Sequence, residues 1–195
     1  MENKINNENL IERLNKTKVV TDKIILHHPN IFEPIKFKNS SKAKYSAVVV
    51  IPPEEKETID KINIAVREAI IQKFGNNIPE HEKIMSPLKN GNDSDSLDLV
   101  YYNNYFVNAT NDLPPRVFNK DKLPFLSKIT DDDCTYARAV LLFKAYDFNG
   151  NKGVSCQLLQ VQWFDERYDA TKYLSSNEDD FWYISNRSIP ITNIL

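Results

Sequence analysis

The stretch Arg138–Phe148 alternates two kinds of residue. Its even positions are Arg138, Val140, Leu142, Lys144, Tyr146 and Phe148, which on a strand share one face. That face mixes cations with aromatic rings. Lysine and arginine neutralise phosphates, and Tyr and Phe rings stack on unpaired bases at roughly 1–3 kcal/mol per base, whatever the base. The chemistry such a face supports is the holding of a single nucleic-acid strand, with no bond made or broken. Val140 and Leu142 keep a second reading open, in which the face packs on a partner layer and Tyr146 keeps only its hydroxyl in water.

Other residues add to the first reading. Lys36, Lys38, Lys42 and Lys44 surround Ser40 and Ser41 immediately before a strand. A lysine loop beside the binding face of a small barrel can track a phosphate backbone, or it can simply be solvated. Lys152 adds a cation to the last hairpin. Tyr105 is a further stacking candidate, although it shares a face with Val107 and so also suits a core. His27 and His28 are adjacent, and side chains of adjacent strand residues point apart, which makes joint metal chelation awkward. Asp131–Asp133 could hold Mg²⁺ as nucleases do, or form a solvated loop. No glycine-rich phosphate loop is present, and neither Cys134 nor Cys156 has a CxxC neighbour. Neither a metal nor a cofactor is expected, and nothing here demands an enzyme.

The elements that must position these residues follow from periodicity and turn chemistry. Thr17–Leu26 reads as a strand, which Pro29 and Pro34 then break. Tyr45–Ile51 is a strong strand, stopped by Pro52 and Pro53. Ile59, Ile62, Val66, Ala69, Ile70 and Phe74 recur at helical spacing, and Gly75 supplies the stop; the helix is placed at about 54–74. A polar connection over 76–98 leads to the strand Tyr101–Thr110, a short strand at Arg116–Phe118 and a loop over 119–133. Ala137–Asp147 and Val154–Trp163 are strands joined by a hairpin loop at 149–153. The odd positions Ala139, Leu141, Phe143 and Ala145 suit a small barrel's interior. This order predicts a mainly β fold, an OB-type barrel of about five to seven strands with one main helix. Residues 1–15 read as a mobile arm, 16–164 as the folded domain and 165–195 as a mobile polar and acidic tail.

The chain has 195 residues, of which 41% are hydrophobic and 27% charged, so it is globular rather than disordered. The net charge is −2, but its distribution is uneven. Seven lysines face Asp22 and Glu33 between Lys16 and Lys44, while six acids face Arg167 and Lys172 between Asp165 and Asp180. A basic front and an acidic end can coexist on a DNA binder whose tail lies off the DNA surface. No apolar run is long enough for a membrane span, and the first residues lack the apolar core of a secretory signal. Two cysteines make neither a zinc set nor a disulfide framework and suit a reducing cytoplasm.

From Thr17 to Phe181 the chain resembles a phage family of single-stranded DNA-binding proteins, formerly a domain of unknown function. The resemblance is carried by Thr17–Thr21, Pro29–Pro34, Lys44-Tyr45-Ser46, Tyr105–Ala109, Pro114-Pro115, Tyr136–Ala139, Asn149–Val154, Gln162 and Glu178-Asp179-Asp180-Phe181. Their order and spacing are specific together. The resemblance implies an OB-fold, binding of single-stranded DNA with little sequence preference, a role in phage replication or recombination in the host cytoplasm, and a homodimer. The acidic–aromatic tail resembles those by which other single-strand binders recruit replication or recombination proteins. Three departures stand out. The segment before the last hairpin lacks two glycines usual in the family, Val140 and Leu142 replace polar residues, and the chain runs on from Trp182 to Leu195. Two other functions remain open: an OB-fold interaction module without DNA binding, and a metal-dependent nuclease built on Asp131–Asp133.

Overall fold

Every second residue from Ala47 to Ile51 is apolar and fully or nearly fully buried, as are Ala137, Ala139, Leu141 and Phe143. This period of two makes strands with one inner face, and those strands build the molecule. The computed structural model describes residues 2–38, 40–78, 84–94, 98–125 and 134–173. In chain order its elements are α1 (Glu2–Lys16), β1 (Lys18–Val20), β2 (Ile24–Ile35), β3 (Lys44–Ile51), α2 (Lys56–Phe74), β4 (Ile84–Met85), β5 (Leu88–Asn90), β6 (Tyr105–Asn111), β7 (Arg116–Phe118), β8 (Thr135–Phe148) and β9 (Asn151–Arg167). Short 3₁₀ turns occur at Gly91–Asp93, Leu99–Tyr101 and Ala170–Tyr173.

The fold is mainly β, as the alternation predicts. β2 pairs with β3, β3 with β6, β6 with β9, β9 with β8, and β8 returns to β2, which closes a ring. Named by their order in the chain, the ring strands run first, second, third, fifth, fourth. The pairings are antiparallel except β6–β9, which is parallel and aligned only at Ala109 with Cys156. That single link leaves a ring rather than a fully laced barrel. β1, β4, β5 and β7 extend the sheet from the ring strands.

The interior is filled from all five ring strands, with Leu26, Val49, Val107, Leu141 and Leu158 among its buried residues. α2 adds Ile62, Ala65 and Ala69 at helical spacing. Each fully buried Leu, Ile or Phe contributes roughly 1.5–3 kcal/mol. The start of α2 is held by Thr58, whose hydroxyl accepts the Asp22 backbone N–H at 2.9 Å. Its end is set at Gly75, with φ at 55° and its N–H bonded to the Ile71 carbonyl at 2.9 Å. A second apolar cluster lies outside the ring, where Ile25, Val50 and Phe106 are covered by Val100 and Tyr168.

Several boundaries differ from those read off the sequence, each for a local reason. Pro29 and Pro34 do not break β2, which runs to Ile35. Its pairing with β3 shifts register between His27 and Asn30 and again between Asn30 and Ile35, and such irregularities free positions from the ladder so that proline fits. The arm expected over 1–15 is helical, and two bonds fasten it to α2, the firmer being Gln72 Nε2 to the Arg13 carbonyl at 2.9 Å. Among the described residues α1 thus joins α2, the main helix expected from the sequence. The last hairpin is tighter than 149–153, because Asn149 and Gly150 both take positive φ (51° and 80°), as a two-residue type I′ turn requires. β9 passes the boundary set at 165, and Tyr168 is buried with its N–H bonded to the Cys134 carbonyl at 2.9 Å. Residues 174–195, with Glu178, Asp179, Asp180 and Phe181, lie outside the described residues, as do Asp131–Asp133.

Candidate nucleic-acid interface

In five-stranded barrels with this strand order, oligonucleotides lie on the face of the second and third strands. The flanking walls are the loop after the first strand and the loop joining the last two. Here those parts are the outer faces of β3 and β6, the loop after Ile35, and the Asn149–Gly150 turn. The outer face of β3 carries Lys44, Ser46, Val48 and Val50, and that of β6 carries Phe106, Asn108 and Thr110. Val50 and Phe106 belong to the covered cluster, so only the other half of this face is open.

The open half is grooved. One hollow of about 490 Å³ is lined by His28, Asn30, Phe37, Ser46, Val48 and Asn108 among others. A second hollow of about 240 Å³ shares Asn108 and Thr110 with the first and continues to Lys89, Tyr146 and Ser155. The two form one track from the β2–β3 loop to the last hairpin, and among the described residues no carboxylate lines either part. Side-chain amides and hydroxyls from Asn30, Ser46, Asn108, Thr110 and Ser155 offer donors and acceptors along it. Phe37 stands 42% exposed at one end and Phe148 70% exposed at the hairpin tip.

Tyr146 is held at the far end of this track by a glycine. It lies across from Gly153 in the β8–β9 ladder. A Cβ built on Gly153 would sit 2.6 Å from the Tyr146 hydroxyl oxygen and 2.8 Å from the ring carbon bearing it. Only glycine lets the ring lie flat on the strand there.

The residues singled out in the sequence divide between two walls. Lys36, Lys38 and Lys42 are exposed in the loop at one end of the track. Lys44 begins β3 and lies 3.5 Å from Asp112. Lys144 is exposed and stands opposite Ser155, a groove residue. Tyr146 lines the groove. Phe148 and Lys152 flank the hairpin turn, and Lys152 pairs with Asp147 at 3.2 Å. Tyr105 is half-buried against the main core, which is the core placement that sharing a face with Val107 left open.

Arg138 lies elsewhere. Its Nε donates to the Thr21 carbonyl at 3.1 Å, its guanidinium lies 3.7 Å from Asp22, and it lines a separate hollow with Val20 and Phe118. Phe37, Lys89, His28 and Asn108 line or flank the groove without being DNA contacts that the sequence alone suggests. Lys36-Phe37-Lys38 does carry a signal, an aromatic between two cations, whereas Asn108 carries none.

The two adjacent histidines depart from the expectation for a regular strand. His28 has a φ of 47°, so the strand geometry that would send the rings apart fails at that residue. The His27 and His28 ring centroids lie 3.8 Å apart. His27 is buried, with Asp98 Oδ2 at 3.0 Å from Nε2 and Cys134 Sγ at 3.0 Å from Nδ1. Burial and the neighbouring His28 lower its pKa against the pull of Asp98. Cys156, the other thiol, sits in the main core, where burial pushes its pKa far up and leaves it inert.

The fold has counterparts among known proteins. The family described as Enterobacter phage Enc34, ssDNA-binding protein matches residues 17–187. Protein p50 of Acyrthosiphon pisum secondary endosymbiont phage 1 is 30% identical over 156 residues, covering 75% of this chain and 83% of p50. The single-stranded DNA-binding protein of bacteriophage Enc34, solved in complex with ssDNA, superposes with a TM-score of 0.67 at 15% identity, over 78% of this chain and 88% of that one. The single-stranded DNA-binding protein gp2.5 of bacteriophage T7 superposes with a TM-score of 0.54 at 13% identity, over 91% of this chain and 97% of that one. With most of its length matched, the chain belongs to the family of the Enterobacter phage Enc34 ssDNA-binding protein.

Proposed function

We propose that this protein binds single-stranded DNA with little sequence preference along the β3–β6 groove, as an OB-type module. The carrying observation is the track itself, free of carboxylates among the described residues, with lysines and Phe37 at one end and Tyr146 at the other. Phosphates would be met by Lys36, Lys38, Lys42 and Lys89, with Lys44, Lys144 and Lys152 at the margins. Bases would stack on Phe37, Tyr146 and Phe148, a mode indifferent to sequence. The biological setting is phage DNA replication or recombination in the host cytoplasm. The protein acts there without chemistry, by covering exposed strands.

Fluorescence polarisation with a labelled oligo-dT, a duplex of equal length as control, and a series of salt concentrations tests this reading. Binding that favours the single strand and weakens steadily with salt supports it. No binding at low salt overturns it and leaves an interaction module as the function. A homodimer and recruitment of replication proteins through Glu178, Asp179, Asp180 and Phe181 belong to the same proposal. Light scattering of the full chain checks the dimer. Loss of partner capture on truncation after residue 173 checks the tail.

A further inference from the structure

Three side chains from two distant parts of the chain converge beside the groove. The candidate ligand atoms of His27, His28 and Asp98 all lie within 4.8 Å of one another. A tetrahedral shell with metal–ligand bonds of about 2.0–2.2 Å sets its ligands about 3.3–3.6 Å apart, so small side-chain rotations would close this set on one ion. His27 Nε2 gives an independent indication. It is buried and makes no aligned hydrogen bond, although Asp98 Oδ2 is only 3.0 Å away. Two lone-pair donors placed side by side in this way can share an ion between them.

The surroundings suit that use. The other nitrogen of His27, Nδ1, lies 3.0 Å from Cys134 Sγ, and an Nδ1–H donated to sulfur selects the tautomer whose Nε2 can ligate. Asp98 is oriented as well, since its Oδ1 accepts the Val100 N–H at 3.2 Å while Oδ2 faces His27. Two imidazoles and one carboxylate suit a borderline-soft ion, whereas Mg²⁺ and Ca²⁺ prefer oxygen throughout.

We propose that His27, His28 and Asp98 form a binding site for a divalent transition-metal ion of the zinc class, with Cys134 as the positioning residue for His27. The ion would tie β2 to the Leu99–Tyr101 turn and, through Cys134, to the head of β8. His28 is exposed and also lines the groove, so the fourth coordination place would open on that side.

The test uses the full chain without a histidine tag, stripped with EDTA and titrated calorimetrically with Zn²⁺. Co²⁺ is added in a parallel sample to read coordination by absorption. One Zn²⁺ per chain, a tetrahedral Co²⁺ spectrum and a zinc-dependent rise in Tm are expected. His28→Ala and Asp98→Asn should each weaken zinc binding by at least about 100-fold and abolish the rise in Tm, and Cys134→Ser should weaken it by about 10–100-fold. His28 is exposed, and the amide oxygen introduced by Asp98→Asn can still accept the Val100 N–H, so both ligand variants retain the fold. Absence of stoichiometric zinc binding to the parent overturns the proposal. So does zinc binding that is unchanged in both ligand variants.

Discussion

Two walls of the same ring carry cations beside apolar and aromatic residues, yet the structure treats them differently. On the outer face of β8, Arg138 is bonded to the Thr21 carbonyl and lies near Asp22, Val140 is half-buried opposite Val20 of β1, and Leu142 is 8% exposed. On the β3–β6 side, Lys36, Lys38 and Lys42 are exposed at the mouth of a groove that no carboxylate lines among the described residues. The residue types on the two walls are alike. Arg138 already has partners within the fold, whereas Lys36, Lys38 and Lys42 stand exposed where no carboxylate lines the groove among the described residues. A cation contributes to ligand binding only to the extent that the folded state has not already neutralised and ordered it.

Four variants would sharpen or break that contrast, all read by polarisation titrations with oligo-dT. The largest effect is expected from removing both rings of the track, Phe37→Ala with Tyr146→Ala. Each stacked ring is worth roughly 1–3 kcal/mol, so the pair should weaken binding by at least about 30-fold with little change in the salt dependence. Next comes the triple change of Lys36, Lys38 and Lys42 to Ala. At about 0.7 per neutralised phosphate on single strands, the slope of log affinity against log salt should fall by about 2. An unchanged slope would move the phosphate path off this loop.

Gly153→Ala tests the seat of Tyr146. The added methyl cannot share space with the ring, so binding should fall in the same direction as Tyr146→Ala but by less. An affinity equal to the parent's would show that the ring's placement on β9 does not matter. The smallest effect is expected from Arg138→Ala. Binding should stay within about twofold of the parent, and chemical denaturation should show a loss below about 1 kcal/mol, because the partly exposed ion pair is weak. A large loss of DNA affinity in this variant would break the contrast between the walls.

Much of the ring is legible in the residues. Ala139, Leu141 and Phe143 read as interior and are buried, and the helix expected at 54–74 is present at Lys56–Phe74. The Asn149-Gly150 pair announces the hairpin, because few residues other than Asn and Gly accept positive φ. The proposed site is legible in part. Tyr146 and the lysine loop stand out by their types and face the groove's two ends. Arg138 stands out by the same logic and lies on the other wall. Alternation tells which residues of one strand share a side, and it says nothing of what lies against that side. In the helix at Glu2–Lys16 the apolar residues Leu10, Ile11 and Leu14 suggest only a short amphipathic turn by their spacing, and all three remain exposed on it.

By itself, the sequence determined which side of each ring strand is apolar, where the chain turns, and that cations and aromatics crowd around the first loop and last hairpin. These are local properties, set by a period of two and by the backbone preferences of Gly, Asn and Pro. Tertiary structure alone decided which outward face stays open. Val48 and Val50 share one side of β3, yet Val50 is fully buried in the cluster with Val100 and Tyr168, while Val48 is only half-buried at that cluster's edge and lines the groove. The covering residues lie far along the chain from β3, beyond the reach of any local pattern. The same holds for His27 and His28. Adjacency implied opposite faces, and only a positive φ at His28, with Asp98 brought in from a distant turn, put their rings together.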